Sequence, residues 1–283
     1  MILLTGVTGK TGGATASALL DKGAPLRALV RDEAKAGDLK SAGVELVVGD
    51  IADAGTVRKA LAGAEKAFLT LPNGEHQLAN EKQFTDLAKE AGVKHLVKMS
   101  SMEAVPDAQT PIPRGHWAAE EYIRASGLEW TMVKPNFFMQ NLLASAGMIK
   151  EQRKFSLPMG DGTTGMADTR DIGAVCAEVL TGDGHGGQSY EITGPEVITF
   201  YEVAERFSEV LGEKVEYLPM PMETFRERMT NVLAPWHLDA VCELFREIDE
   251  IGLDHTTDTF KQLMGREPTS LRQFIEDHIA LFR

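Results

Sequence analysis

Gly6, Gly9 and Gly12 stand three apart, directly after the apolar run Ile2-Leu3-Leu4 and before a stretch rich in Ala and Leu. Strand, glycine turn and helix in that order are what a dinucleotide pyrophosphate site requires. Gly6 allows a tight exit from the strand, Gly9 lets the backbone approach the phosphates, and Gly12 permits close contact between helix and sheet. Amides at the helix N-terminus then face the anionic oxygens, Thr8 and Thr11 add hydroxyl donors, and Lys10 lies in the same turn. Without a ligand, the same residues read as a plain glycine turn.

The end of the second strand bears on which dinucleotide fits. In an NAD site an acidic side chain there binds the ribose 2′-hydroxyl. Here Leu26-Arg27-Ala28-Leu29-Val30 runs into Arg31, whose guanidinium suits a 2′-phosphate by bidentate contact, and Lys35 adds a second positive charge. NADP is therefore the expected cofactor; NAD stays open if Arg31 instead pairs with the adjacent Asp32. Asp50 and Ile51 follow the third strand, where they would flank the adenine. Leu71 and Pro72 close the fourth, at the sheet edge where the nicotinamide ribose would lie.

Proton donors are less clear. Many short-chain dehydrogenases use a Tyr acid with a Lys four residues later, and a Ser at the preceding strand end. Ser100-Ser101 supplies the Ser. The tyrosines do not supply the pair: four residues beyond Tyr122, Tyr190, Tyr201 and Tyr217 stand Ser126, Gly194, Glu205 and Pro221. The place of the pair is taken by His116-Trp117-Ala118-Ala119-Glu120. Losing a general acid typically slows ketone reduction ~10²–10⁴-fold, whereas quinones, conjugated enones and cationic dyes give stable hydride adducts and need less help. His116 is read in two ways: as a proton donor whose pKa lies near working pH, or as the partner of Glu120 one helical turn away. No third ligand of suitable spacing accompanies these two, so no metal site is expected.

The elements that must position these groups alternate. Apolar strands are expected at 2–4, 26–30, 44–48, 66–71, 94–99 and 130–133, with helices at 13–22 and 77–91. Strands apolar on both faces, alternating with helices, indicate an α/β fold of Rossmann type, a doubly wound parallel sheet. After Asn136 the rhythm changes to helices at 138–150, 171–180 and 200–211, with a short strand at 190–192. The expected division is an NADP-binding domain over 1–150 and a smaller, mostly helical C-terminal lobe over 151–283 that binds substrate. Segments such as 165–195 would return to the core. Residues 105–114, with three prolines, read as a loop that could act as a lid.

Bulk composition narrows the partners. Apolar content of 43% and charged content of 25% suit a globular chain of 283 residues. A net charge of −13 repels phosphate backbones and anionic lipid, so neither nucleic acid nor a membrane is an expected partner. With a strand beginning at Ile2, no targeting segment is expected, and a cytoplasmic location follows. Cys176 and Cys242 read as buried thiols. A monomer or homodimer acting on a small molecule is the expected state.

Several segments together resemble the NmrA-like family of atypical short-chain dehydrogenase/reductases. They are the turn 5–12, Ala28-Leu29-Val30-Arg31, Gly49-Asp50, His116 to Glu120, Ser126-Gly127-Leu128 with Thr131, the run 134–141, Asp168 to Gly173, residues 190–194 and Gly265-Arg266-Glu267-Pro268. That family includes NADPH-dependent quinone oxidoreductases, triphenylmethane reductases and redox-sensing regulators. The resemblance implies NADP contacts along residues 6–12, Arg31 and the Leu71-Pro72 edge, with Ser100, Lys134 and Pro135 nearby. It places 135–141 beside nicotinamide and substrate. Lys134 stands where the family usually has Arg, and Asn136 where it has Gly. The Asn136 amide is either a contact to substrate or cofactor or a neutral change. Phe137, Phe138, Asn141 and Trp236 are candidates to line a cleft for a flat hydrophobic substrate, with core packing as the other reading. The expected function is an NADPH-dependent reductase of quinone-like or other conjugated molecules. A non-catalytic NADP(H) sensor acting on a protein partner and a biosynthetic tailoring enzyme are the alternatives.

Overall fold

The computed structural model describes residues 1–283. The chain opens with β1 (Ile2–Leu4), α1 (Lys10–Asp21), β2 (Leu26–Val30), the short α2 (Gly37–Ser41), β3 (Glu45–Val48), α3 (Ala54–Leu61) and β4 (Lys66–Leu69). It continues with α4 (Gln77–Glu90), β5 (His95–Met99), α5 (Pro111–Ala125) and β6 (Glu129–Pro135). Then come α6 (Ala146–Gln152), β7 (Lys154–Phe155), β8 (Thr163–Thr164), α7 (Thr169–Thr181) and β9 (Gln188–Ile192). The seven-stranded sheet has the order β3-β2-β1-β4-β5-β6-β9. Neighbours from β3 through β6 pair in parallel, with Leu3 opposite both Arg27 and Ala67. This is the doubly wound order, and it reverses direction between β1 and β4.

Local chemistry explains most element boundaries. β1 and β5 are buried along their whole length, so neither alternates. α1 begins at Lys10, three residues before its expected start, because Gly9 serves as N-cap and the glycines fall in the first turn. α3 lies outside the expected elements; Asp53 starts it by accepting from the amides of Gly55 at 3.2 Å and Thr56 at 3.0 Å. α5 takes Pro111 and Pro113 into its first turn, where a missing amide hydrogen is tolerated, and so shortens the expected 105–114 loop. The helix expected at 138–150 divides into a 3-10 segment, Met139–Ser145, and α6.

Two compact units result. The first holds Met1–Gln109, Pro113–Lys134 and Thr169–Glu191; the second holds Thr110–Ile112, Pro135–Asp168 and Ile192–Arg283. The second unit thus takes over at Pro135 rather than at 150, because residues after β6 bury their apolar side chains in a separate core. That core gathers Phe155, Phe200, Phe207, Phe274 and Phe282, with Phe207 edge-on to Phe282 at 4.8 Å. β10 (Ile198–Thr199), α8 (Phe200–Leu211), β11 (Glu216–Tyr217), α9 (Met222–Met229) and α10 (Pro235–Ile251) complete most of it. α8 opens on a reciprocal cap between Thr199 and Glu202. No helix is long and apolar enough to cross a membrane.

In the first unit, Thr5 ties the end of β1 to the end of β4. Its buried Oγ1 lies 3.2 Å from the Phe68 carbonyl and 3.0 Å from that of Thr70, and it accepts from the Thr70 amide at 2.9 Å. Thr5→Val keeps the shape and orphans that amide. It is expected to lower stability by about 1–3 kcal/mol, read as a lower urea midpoint with an unchanged slope.

Candidate active site

Beyond β1 the chain turns at Gly6, whose φ is +63°. A Cβ there would sit 2.7 Å from both Cγ2 and the carbonyl oxygen of Thr70, so neither the conformation nor the space admits a side chain. A Cβ on Gly12 would come within 2.2 Å of the Gly6 carbonyl, which makes α1 lie directly on the turn. Gly9 caps α1 with no side-chain hydrogen bond, and the first turn carries no acidic residue. The opening amides of α1 therefore point from a glycine-lined cradle at the β1/β4 reversal, which fits a pyrophosphate. Thr8 and Lys10 are exposed beside it; Thr11 is buried.

Arg31 follows β2 and is exposed, as is Lys35. Asp32 does not neutralise Arg31: its carboxylate accepts from the Ala34 amide at 3.0 Å and caps the next turn. Two cations thus stand without a carboxylate partner where a 2′-phosphate would lie. Asp50 turns one oxygen back to the Ala52 amide at 2.8 Å, and the Ile51 carbonyl accepts from Gln83 at 3.1 Å. Leu71 is half-buried and Pro72 exposed just past β4.

Behind this edge lies a buried polar cluster that sequence reasoning missed. Lys98 of β5 has no exposed surface, and its ammonium donates to Glu81 Oε1 of α4 at 2.8 Å. It also reaches the Met99 carbonyl and His116 Nδ1 of α5, each at 3.2 Å. His116 Nε2 is 3.2 Å from Asn73 Oδ1, in the loop after β4. Gln77 donates to the same Glu81 oxygen at 3.1 Å, while Glu81 Oε2 and the Ser101 hydroxyl have no partner. The available signal was a lysine set between Val97 and Met99 in the expected fifth strand.

His116 and Glu120 do not pair with each other, which corrects one expectation. Glu120 accepts from Ser100 Oγ and, at 2.6 Å, from Arg124; Lys134 lies 3.6 Å from it and donates to the Ala104 carbonyl at 2.7 Å. Ser100 and Lys134 both face Glu120, which is fully buried and needs donors. Burial first, then the Lys98 and Lys134 ammonium groups, holds the His116 imidazole well below its usual pKa. The neutral imidazole is therefore the form that these surroundings favour.

Asn136 is hydrogen-bonded through both of its side-chain polar atoms. Its Oδ1 accepts from the Phe137 amide at 2.6 Å and from Thr164 Oγ1 at 2.7 Å, and its Nδ2 donates to the Leu253 carbonyl at 3.3 Å. At 2% exposure it braces the second unit from within. Pro135 beside it is buried. Phe137 packs edge-on against Phe200 at 6.0 Å, while Phe138, Asn141 and Trp236 are half-buried. Both cysteines are free and buried, and burial pushes the Cys176 thiol up to about 12. No cluster of three or more His, Cys, Asp or Glu side chains is placed to hold a metal ion.

The His116 shift carries a sign for stability. The unfolded chain takes up a proton near 6.5 and the folded imidazole only well below it, so the unfolded state binds more protons in that window. Stability is fully present above about 6.5 and falls as acid is added below it. His116→Asn is expected to flatten that fall by up to about 1.4 kcal/mol per pH unit, measured by urea unfolding at several acidic pH values. Burial shifts His95 the same way, so part of the slope stays. An unchanged slope would mean that His116 takes up its proton inside the fold.

The NmrA-like family model matches residues 1–275. The NAD(P)H azoreductase of Xenophilus azovorans is 37% identical over 285 residues, covering 100% of this chain and 99% of its own. Among solved structures, an NADPH-dependent quinone oxidoreductase of Escherichia coli in complex with NADPH has a TM-score of 0.87 at 27% identity, covering 99% of this chain and 100% of that one. Triphenylmethane reductase of Citrobacter sp. in complex with NADP(H) has a TM-score of 0.85 at 25% identity, covering 98% and 99% of the two chains. The glycine cradle at the β1/β4 reversal is thus accompanied by likeness along nearly the whole sequence, and the protein belongs to the NmrA-like family.

Proposed function

We propose that the protein is an NADPH-dependent reductase of quinone-like or other conjugated aromatic molecules, working without a Tyr-Lys catalytic pair. The observation that carries this reading is the uncapped, glycine-lined N-terminus of α1 beside the partnerless cations Arg31 and Lys35. The relatives named above, an azoreductase, a quinone oxidoreductase and a triphenylmethane reductase, support the class of substrate.

When bound, NADPH supplies a hydride. The chain's part is to hold and orient it. The α1 amides would hold the pyrophosphate, and the Arg31 guanidinium, with Lys35 beside it, would take the 2′-phosphate. Leu71 and Pro72 would support the nicotinamide end. In this reading Tyr122, Tyr190 and Tyr217 are engaged elsewhere. Tyr122 donates to both carboxylate oxygens of Asp86, at 2.8 and 2.9 Å, which raises its pKa. Tyr190 meets His185 at 2.9 Å, and burial raises Tyr217. Acceptors whose reduced forms are stabilised by conjugation suit such a site, because their adducts need little acid assistance.

Purified protein is expected to oxidise NADPH in the presence of at least one of a benzoquinone, an azo dye and a triphenylmethane dye. NADPH binding with no oxidation by any of them would overturn the reading. Arg31→Ala is expected to raise KM for NADPH roughly 10- to 100-fold, the loss of a charge-assisted contact, and to leave KM for NADH nearly unchanged. Equal effects on both cofactors would remove the 2′-phosphate role.

A further inference from the structure

The hydrogen-bonded chain Glu81–Lys98–His116–Asn73 links α4, β5, α5 and the loop after β4 within the first unit. A lysine ammonium has three N–H donors and no acceptor. All three have targets here: Glu81 Oε1, the Met99 carbonyl and His116 Nδ1. His116 Nδ1 must therefore accept, which leaves the ring proton on Nε2, facing Asn73 Oδ1. The charged neighbours of the ring are Lys98 from β5 and Lys134 from β6. Glu81 from α4 faces Lys98, and Glu120, one turn along α5, is engaged by Ser100, Arg124 and Lys134.

We propose that Lys98, with Glu81 as counter-ion, is a positioning residue that holds His116 as the neutral, Nε2-protonated imidazole, and that this N–H is the donor to the substrate atom that gains electron density during reduction. The role of the donor rests on the reductase reading above. Asn73 Oδ1 holds the N–H in line at the carboxyl edge of the sheet until substrate takes its place. An ammonium on the far nitrogen strengthens the donor through the ring, as one hydrogen bond polarises the next. A neutral imidazole of fixed tautomer donates without first being protonated, so the donor works across the neutral pH range.

Two arms test this. The first needs no substrate: 15N-histidine-labelled protein is examined by two-bond 1H–15N correlation, with His116→Asn identifying the resonance. The expected result is an Nε2–H tautomer that does not titrate between pH 6 and 8. An Nδ1–H tautomer, or titration in that range, overturns the proposal. In the second arm, Lys98→Met is compared with the double variant Lys98→Met/Glu81→Leu, which removes both buried charges and folds even if the single change does not. The double variant is expected to show mixed tautomers and kcat lower by about tenfold or more, with KM for NADPH unchanged. Wild-type kcat and an unmixed Nε2–H tautomer in the double variant would make Lys98 a charge-balancing residue only and overturn the proposal. The expected tautomer with no acceptor reduced would instead count against the reductase reading, and an active enzyme with the wrong tautomer against Lys98.

Discussion

The turn leaving β1 and the turn leaving β4 approach so closely that a single methyl group would not fit between them. Parallel pairing sets this spacing, since Leu4 lies opposite Phe68 and both chains must turn at the same level. The backbone answers with a left-handed residue at Gly6, and the Thr5 hydroxyl supplies the contacts that the ended ladder no longer makes. α1 then starts directly on the turn, because Gly12 brings no side chain against the Gly6 carbonyl. Its first amides have no side-chain cap, and the helix dipole adds to the attraction for an anion there. The cofactor cradle is thus a consequence of how tightly two strand ends are packed.

The same strand end leads into the second feature of the site. Beyond Thr70, the Leu71-Pro72-Asn73 segment carries the edge from the dinucleotide side to His116. Two buried carboxylates with contrasting partners stand behind it. Glu120 has donors on both oxygens, and its neighbours Ser100, Arg124 and Lys134 form a closed arrangement. Glu81 shares one oxygen between Lys98 and Gln77 and leaves the other without a partner. Pairs of this kind add little net stability over apolar replacements, whereas removing one member alone costs about 3–5 kcal/mol. The first arrangement braces α5 against β5 and β6. The second ends at an imidazole on the sheet's carboxyl edge, where doubly wound folds bind their ligands.

The second unit is organised differently. Its core is aromatic and aliphatic, and the polar side chain at the start of the 136–141 run serves internal bracing. Asn136 bonds a neighbouring amide and a threonine hydroxyl through Oδ1 and the Leu253 carbonyl through Nδ2.

By itself, the sequence determined the sheet, the glycine turn and the cation at the end of β2. These are local matters: strand and helix periodicity, φ sign, and the residue that follows a strand depend on a few neighbours along the chain. The Arg31 reading could be made from one position, although only the structure showed that Asp32 is occupied in capping the next turn. The partners of buried charges were decided by tertiary structure alone. His116 and Glu120 are one helical turn apart, which made their pairing plausible, yet His116 meets Lys98 of β5 while Glu120 meets Ser100 and, on its own helix, Arg124. Lys98 passed unnoticed between Val97 and Met99 because its counter-ion is 17 residues away on a helix across the sheet. Asn136 read as a site residue because neither Thr164 nor Leu253 is near it in sequence. Burial makes such partners obligatory, and burial is a property of the packed chain rather than of any segment.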